Sequence, residues 1–391
     1  MTMQRRIAVL AAVTALSATL VTAAPALATP GMSSPTLRKE APIDLHIGSA
    51  SWGARDLTPY DPKNPTQYQQ ILSTQFNSIT PENDMKWDAT EPAPGVFDFT
   101  GADAVVRFAE ANHMAVRGHN LLWHNQNPQW VMDAYKSWTC DQAKAVLKDH
   151  ITTVVGHFKG KIYQWDVANE IFHDTWDSNA YDANGQLRLR TDQNPFLYAC
   201  SSDPVGLLED AFRWAHAADP NAVLFMNDYA VEGINTKTDA YYALAQKMLA
   251  DGVPLGGFGA QGHLDLDYGF DNSLQANFER FAKLGLQVAI TEADVRVRVD
   301  ANGQPINPAD VQRQADYYGR MLQACLNVPQ CTSFTVWQYT DSKSWVPGVF
   351  PGKGYATPYT ADYTPKPAYY TLRNLLAEAT PGRSPRVPMG S

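Results

Sequence analysis

Two short strings in this chain each close an apolar, strand-like run on an acid. They are Trp165-Asp166-Val167-Ala168-Asn169-Glu170 and Ile290-Thr291-Glu292-Ala293-Asp294. Both have the form of a barrel strand that delivers a carboxylate at its C-terminal end. Two carboxylates facing one sugar bond are the minimal machinery for glycoside hydrolysis, since one must protonate the leaving oxygen while the other attacks or activates water. If Glu170 and Glu292 converge, the chain is a glycosidase. If they do not, it is an α/β protein with two acidic loops.

Convergence needs a scaffold, and strand-like and helix-like segments alternate through the chain. The strand candidates are His46–Ala54, Ser78–Thr80, Ala115–Gly118, Ile162–Val167, Ala222–Met226, Gly257–Ala260, Gln287–Thr291 and Ser333–Val336. Helical stretches are expected at Tyr68–Phe76, Ala104–Asn112, Cys140–Phe158, Leu207–Ala217, Thr238–Ala250, Leu274–Leu284, Ala309–Leu326 and Ala368–Ala379. In the sixth helix Leu274, Phe278, Phe281 and Leu284 recur at spacings of four and three, which is one helical face, and Gly285 follows as a stop. Eight strands each followed by a helix predict an α/β fold, a single-domain (β/α)8 TIM barrel over residues 43–380. An open doubly wound sheet is the competing architecture, but no glycine-rich phosphate loop follows the first strand.

In a barrel the chemistry sits at the C-terminal strand ends. Those ends carry Glu82, Asn83 and Lys86, then His119, Trp123 and Gln126, then Asn169-Glu170, Asn227-Asp228-Tyr229, Gln261-Gly262-His263, Glu292-Ala293-Asp294, and Trp337 with Trp345 beyond. Alone, an Asn-Glu pair is usually a solvated turn, and a strand-end Trp is usually packing. Together they supply what sugars need: directional polar partners for hydroxyls and aromatic rings for the C–H faces. Asp294 lies two residues from Glu292, so on an extended strand both point to one side.

The strings PENDMKW, GHNLLWHNQNPQW, WDVANE, NDY, QGH, ITEAD and YTPKPAYY resemble those of glycoside hydrolase family 10, whose commonest members are retaining endo-1,4-β-xylanases. The resemblance runs from about residue 43 to 378. It implies that Glu170 is the general acid/base and Glu292 the nucleophile. His263 and Asp294 would support the nucleophile, Gln261 would belong to the catalytic network, and Asn169 would bind the sugar 2-hydroxyl. Glu82, Asn83, Lys86, His119, Trp123, Gln126, Trp337 and Trp345 would form the glycone-side wall, and Tyr229 joins them as a binding candidate. No cofactor and no metal is implied. The implied substrate is a polysaccharide or oligosaccharide, xylan first. The family also acts on cellobiosides and on the sugar of steroidal glycoalkaloids such as tomatine, and an inactive polysaccharide-binding barrel is the reading outside enzymology. The chain departs from the family pattern at Ala168, Ala293, Gln338 and Tyr339. The last two would add bulk near the glycone wall.

Composition and termini set the context. Arg5 and Arg6, the apolar run Ile7–Val21 and Ala26-Leu27-Ala28 read as a secretory signal peptide over residues 1–28. A flexible arm is expected at 29–42 and a disordered tail at 381–391. The chain carries 31 Lys and Arg against 40 Asp and Glu, net −9. That acidity argues against nucleic acid and anionic membrane as partners and suits a monomer secreted to the extracellular space to act on a neutral polymer. Export permits disulfides. Cys325 and Cys331 enclose a short loop with Pro329 and are expected to pair, leaving Cys140 with Cys200. Four cysteines allow three connectivities, and buried free thiols are the alternative.

Overall fold

The computed structural model describes residues 35–174 and 187–379. The expected signal peptide, the first part of the arm and the C-terminal tail lie outside the described residues.

Ten strands are present among the described residues: β1 (His46–Ser51), β2 (Ser78–Pro81), β3 (Ala115–Leu122), β4 (Ile162–Asn169), β5 (Val223–Asp228), β6 (Gly257–Ala260), β7 (His263–Asp265), β8 (Gln287–Arg298), β9 (Cys331–Val336) and β10 (Lys353–Gly354). All but β7 and β10 form the barrel. Its neighbours pair in parallel from β1 round to β6, then β6 with β8 and β8 with β9. β9 closes the ring onto β1, with Ile47 opposite Phe334. That closure excludes the open doubly wound sheet.

Local chemistry explains most boundaries. The helices Gln67–Gln75 and Cys140–His157 start with capping boxes, Thr66 with Gln69 and Thr139 with Gln142. Each box satisfies two orphan backbone donors. Helix Pro204–Ala218 starts with proline behind an Asp203 cap, and proline suits that position because its missing N–H would be unpaired there anyway. Helix Leu274–Lys283 buries Leu274, Phe278 and Phe281 on the predicted face, and Phe281 stacks on Phe258 of β6 at 3.9 Å between ring centroids. Truncating such a ring costs about 3–5 kcal/mol.

Two glycines in the barrel wall make room for large side chains on the neighbouring strands. A Cβ on Gly118 would lie 2.2 Å from the Trp165 ring, and one on Gly257 would lie 2.3 Å from the Phe225 ring. Arg117 lies over that Phe225 ring at 4.6 Å and forks onto Asp166, both fully buried.

Two expectations need correction. Residues 35–42 are not a free arm: Thr36 caps a short helix, Leu37–Glu40, Leu37 is buried, and Arg38 donates to the carbonyls of Asn112 and His113. An isolated turn of helix is marginal in water, and it forms here because Leu37 and Arg38 find partners on the barrel. The strand bearing Glu292 does not stop at Thr291. β8 runs on to Arg298 because β7 and β10 pair with the extension, so Glu292 stands at the barrel rim in mid-strand.

Cys140 pairs with Cys200 and Cys325 with Cys331, as expected. No helix among the described residues is long and apolar enough to cross a membrane. The Cys140–Cys200 bridge closes a separation of 60 residues, so replacing both cysteines with alanine should remove about 4 kcal/mol of stability, read as a lower urea midpoint with a steeper slope, because the unbridged denatured chain exposes more surface.

Candidate active site

The C-terminal barrel mouth opens into a cleft of about 930 Å³, and Glu170 and Glu292 both line it. Glu170 follows the last residue of β4 in a left-handed conformation, φ 53°. A non-glycine residue there stores strain and is held by its surroundings. Its backbone N–H donates to the Asn227 carbonyl at 2.8 Å, and its own carbonyl accepts from Arg190 Nε at 2.9 Å.

The two carboxylates have opposite surroundings. Glu292 is 4 % exposed. Its Oε1 accepts from Asn227 Nδ2 at 2.8 Å, and its Oε2 lies 3.2 Å from His263 Nε2. His263 Nδ1 lies 2.9 Å from Asp294 Oδ2, which also accepts from the Trp345 indole at 2.7 Å. Burial works against the Glu292 charge, but His119 and His263 outweigh it and hold the carboxyl below its usual range. Burial likewise works against the imidazolium of His263, yet Asp294 and Glu292 push it up to about 10. At neutral pH His263 is therefore the cation that faces the Glu292 carboxylate.

Glu170 meets neutral donors instead. Its Oε2 accepts from the Trp123 indole at 2.8 Å, and its Oε1 accepts from Gln261 Nε2 at 3.0 Å and Asn169 Nδ2 at 3.4 Å. His124 Nδ1 comes within 3.8 Å of Glu170, which would count as an ion pair if the ring were charged. Burial, helped by Arg190, depresses His124 to about 4, so at neutral pH the ring brings no cation to Glu170.

The sequence-derived candidates gather here. Glu82, Asn83, Lys86, His119, Trp123, Gln126, Tyr229, Trp337 and Trp345 all line the cleft, as do Gln261 and His263. On one wall Lys86 Nζ donates to Gln126 at 2.6 Å and to Asn83 at 3.3 Å, with Trp123 beneath it at 4.8 Å. Asn169 and Asp294 are fully enclosed and lie behind the lining. Asn169 Oδ1 accepts from Asn227 Nδ2 at 2.9 Å, so Asn227 touches Glu292 and Asn169 together.

Gln338 and Tyr339 do not add bulk to the wall. Both are fully buried behind it, because Gln338 has φ 68° and turns its amide inward. Gln338 Nε2 donates to Glu82 Oε2 at 2.7 Å while its Oε1 accepts from Tyr68 at 3.1 Å, and Tyr339 stacks on Tyr68. Glu82 is therefore held in orientation from below.

Three contributors were not singled out by sequence reasoning. Asn227 had a visible signal, a strand-end amide in the Asn-Asp-Tyr string. Arg190 had none: it comes from the long loop after β4, and its guanidinium spans the Glu170 carbonyl, Asp174 and the Tyr229 hydroxyl. Glu232 is a buried acid that accepts from the Gly262 backbone N–H at 2.8 Å and so supports the turn before His263. The middle of the loop between Phe172 and Cys200 lies outside the described residues.

The model of glycosyl hydrolase family 10 matches residues 51–375. The chain belongs to glycosyl hydrolase family 10. Among relatives in this family, an endo-1,4-beta-xylanase C from Phanerodontia chrysosporium is 39 % identical over 78 % of this chain and 71 % of its own length. An endo-1,4-beta-xylanase B from Thermotoga neapolitana is 36 % identical over 86 % of this chain and 90 % of its own. The crystal structure of xylanase 10B from Thermotoga maritima superposes with a TM-score of 0.77 at 37 % identity, covering 88 % of this chain and 98 % of that one. That of xylanase 10B from Thermotoga petrophila in complex with xylobiose gives 0.76 at 36 % identity, over 89 % and 98 %.

The raised value for His263 sets a pH dependence for this family 10 site. Its folded-state pKa lies above the ordinary 6.5, so its contribution to stability is fully present below about pH 6.5 and is lost as pH rises through about 10. Imidazole NMR shifts should show His263 still protonated at pH 8, and heat stability should decline towards pH 10. An imidazole that titrates near 6.5 would contradict a cationic His263 beside Glu292.

Proposed function

We propose that the protein is a secreted, retaining endo-1,4-β-xylanase that cleaves internal bonds of xylan by double displacement. The observation that carries the proposal is the opposed environment of two carboxylates in one cleft. Glu292 is charged, immobilised by His263 and Asn227, and suited to attack the anomeric carbon. Glu170, which has Trp123, Gln261 and Asn169 around it and no ion pair of the kind that His263 makes with Glu292, is assigned the general acid that gives its proton to the leaving oxygen. In the second step Glu170, now charged, takes a proton from water while that water displaces Glu292 from the sugar.

The remaining roles follow from position. Trp337 and Trp345 offer apolar faces to sugar C–H surfaces. Glu82, Asn83, Lys86 and Gln126 offer a connected set of donors and acceptors for hydroxyls, and Lys86 is held poised by burial that lowers its pKa against the pull of surrounding carboxylates. His119 stands 4.0 Å from Glu292 Oε1, and Tyr229 lies on the far side of Glu170's loop against Asp174. The names of the relatives and the xylobiose complex of one structural neighbour support xylan over cellobiosides or a glycoalkaloid sugar. The leader-like N-terminus and the two disulfides support secretion.

Glu292→Ala should lower kcat by roughly 10⁴-fold or more while oligosaccharide binding persists by calorimetry. Near-normal turnover would remove Glu292 from its role. With the wild-type protein, NMR of fresh product should show the β-anomer first, and α-anomer first would rule out retention. Parallel product analysis on xylan, cellulose and tomatine should give xylo-oligosaccharides alone, whereas release of a tetrasaccharide from tomatine without xylan cleavage would overturn the substrate.

A further inference from the structure

The extension of β8 carries the catalytic face outward. Alternation places Glu292, Asp294 and Arg296 on one side of the strand, and the neighbouring β7 sets His263 opposite Asp294 and Asp265 opposite Arg296. One step beyond the His263–Asp294 pair, Arg296 Nε donates to Asp265 Oδ2 at 2.9 Å. The other oxygen of Asp265 is taken by Lys353 at 2.7 Å, and Lys353 also bonds Asp267, which accepts from Arg298 Nε at 2.8 Å. Three cations thus share two carboxylates. The next acid along, Asp310, has its own partner in Arg313 at 2.7 Å. A positive charge is left over at the edge of the cleft in a chain whose net charge is −9.

That charge is presented in a specific way. The Arg296 guanidinium lies over the Phe350 ring, 4.0 Å from its centroid, and both residues line the cleft. Among the described residues its Nη1 and Nη2 make no hydrogen bond, although Nε is anchored. A neutral sugar polymer has no use for an immobilised, half-satisfied guanidinium fork. A carboxylate does, because the fork matches its two oxygens, and the Asp265 bond and the Phe350 ring hold the guanidinium in place beforehand.

We infer that Arg296 is the centre of an anion subsite in the cleft wall that receives the carboxylate of an acidic sugar branch on the polymer. The subsite rests on the xylanase reading above and narrows the substrate to chains bearing uronic acid substituents. Asp265 and Lys353 fix the position of Arg296, and the surplus charge offsets the repulsion that an acidic protein otherwise exerts on an acidic polymer.

The test compares kcat/KM on uronic-acid-branched xylan and on the same polymer after chemical reduction of its carboxyls to alcohols. Arg296→Gln should lose about tenfold on the acidic polymer and stay within about twofold of wild type on the reduced one. The wild-type preference for the acidic polymer should shrink as salt is added, and the variant should show no such dependence. Arg296→Lys keeps the charge and the Asp265 pair but lacks the fork. It should show a partial loss confined to the acidic polymer, and it keeps the test decisive if the Gln variant folds poorly. Equal losses on both polymers, or no loss on either, would overturn the subsite. Failure of the wild type to cut either polymer would instead overturn the xylanase reading.

Discussion

The site depends on keeping one carboxylate charged where water can hardly reach it. Glu292 is almost fully enclosed at the barrel mouth, and a lone buried carboxylate would take up a proton. The fold answers with an alternation of charge along the barrel interior. Arg117 near the floor binds Asp166. Asp166 Oδ2 sits 3.0 Å from His119 Nδ1, and His119 faces Glu292. On the other side Glu292 meets His263, and His263 meets Asp294. Each buried carboxylate of this network has a guanidinium or an imidazole against it, so none is left without a partner. Burial still opposes the ionisation of Asp166, but Arg117 and His119 hold its pKa down.

This network also explains the division of labour between two residues of the same type. Both glutamates stand at the same end of the barrel and share a chain of amides through Asn169 and Asn227. Only Glu292 is flanked by a cation. Glu170 meets an indole, two amides and an imidazole that burial keeps neutral. Its backbone is held in a left-handed turn by Arg190 and Asn227, so its aim is set by main-chain contacts. The aim of Glu292 is set by its strand, which runs through and beyond the rim. A catalytic group on a strand is held by ladder hydrogen bonds on both sides; one on a turn needs dedicated clamps, and Arg190 is such a clamp.

The fold was largely legible because its signals are local. Periodicity in Leu274–Lys283, threonine caps before Gln67 and Cys140, and the alternation of strand with helix follow from neighbours within a few residues. The errors came where pairing partners decide an element. The extension of β8 exists because β7 and β10 lie beside it, and nothing within Asp294–Arg298 announces those partners. The turn of helix at Leu37–Glu40 forms because a distant surface receives Leu37 and Arg38. Gln338 was misjudged for a similar reason: its departure from the family pattern was visible, but a left-handed backbone turned it inward to Glu82 and Tyr68.

By itself the sequence determined which chemistries were available. Glutamates, amides, imidazoles and indoles at strand ends, an acidic surface and an even set of cysteines follow from residue type and spacing, and they carry the family resemblance. Tertiary structure alone decided which contacts hold the Glu292 charge, that Asn227 joins both halves of the site, that Arg190 reaches back from a distant loop, and that Arg296 lies half-satisfied on Phe350. Those outcomes depend on burial and on distances of a few ångströms between groups far apart in the chain. Electrostatic energy in a low-dielectric interior changes steeply over such distances, and residue spacing along the chain does not encode them.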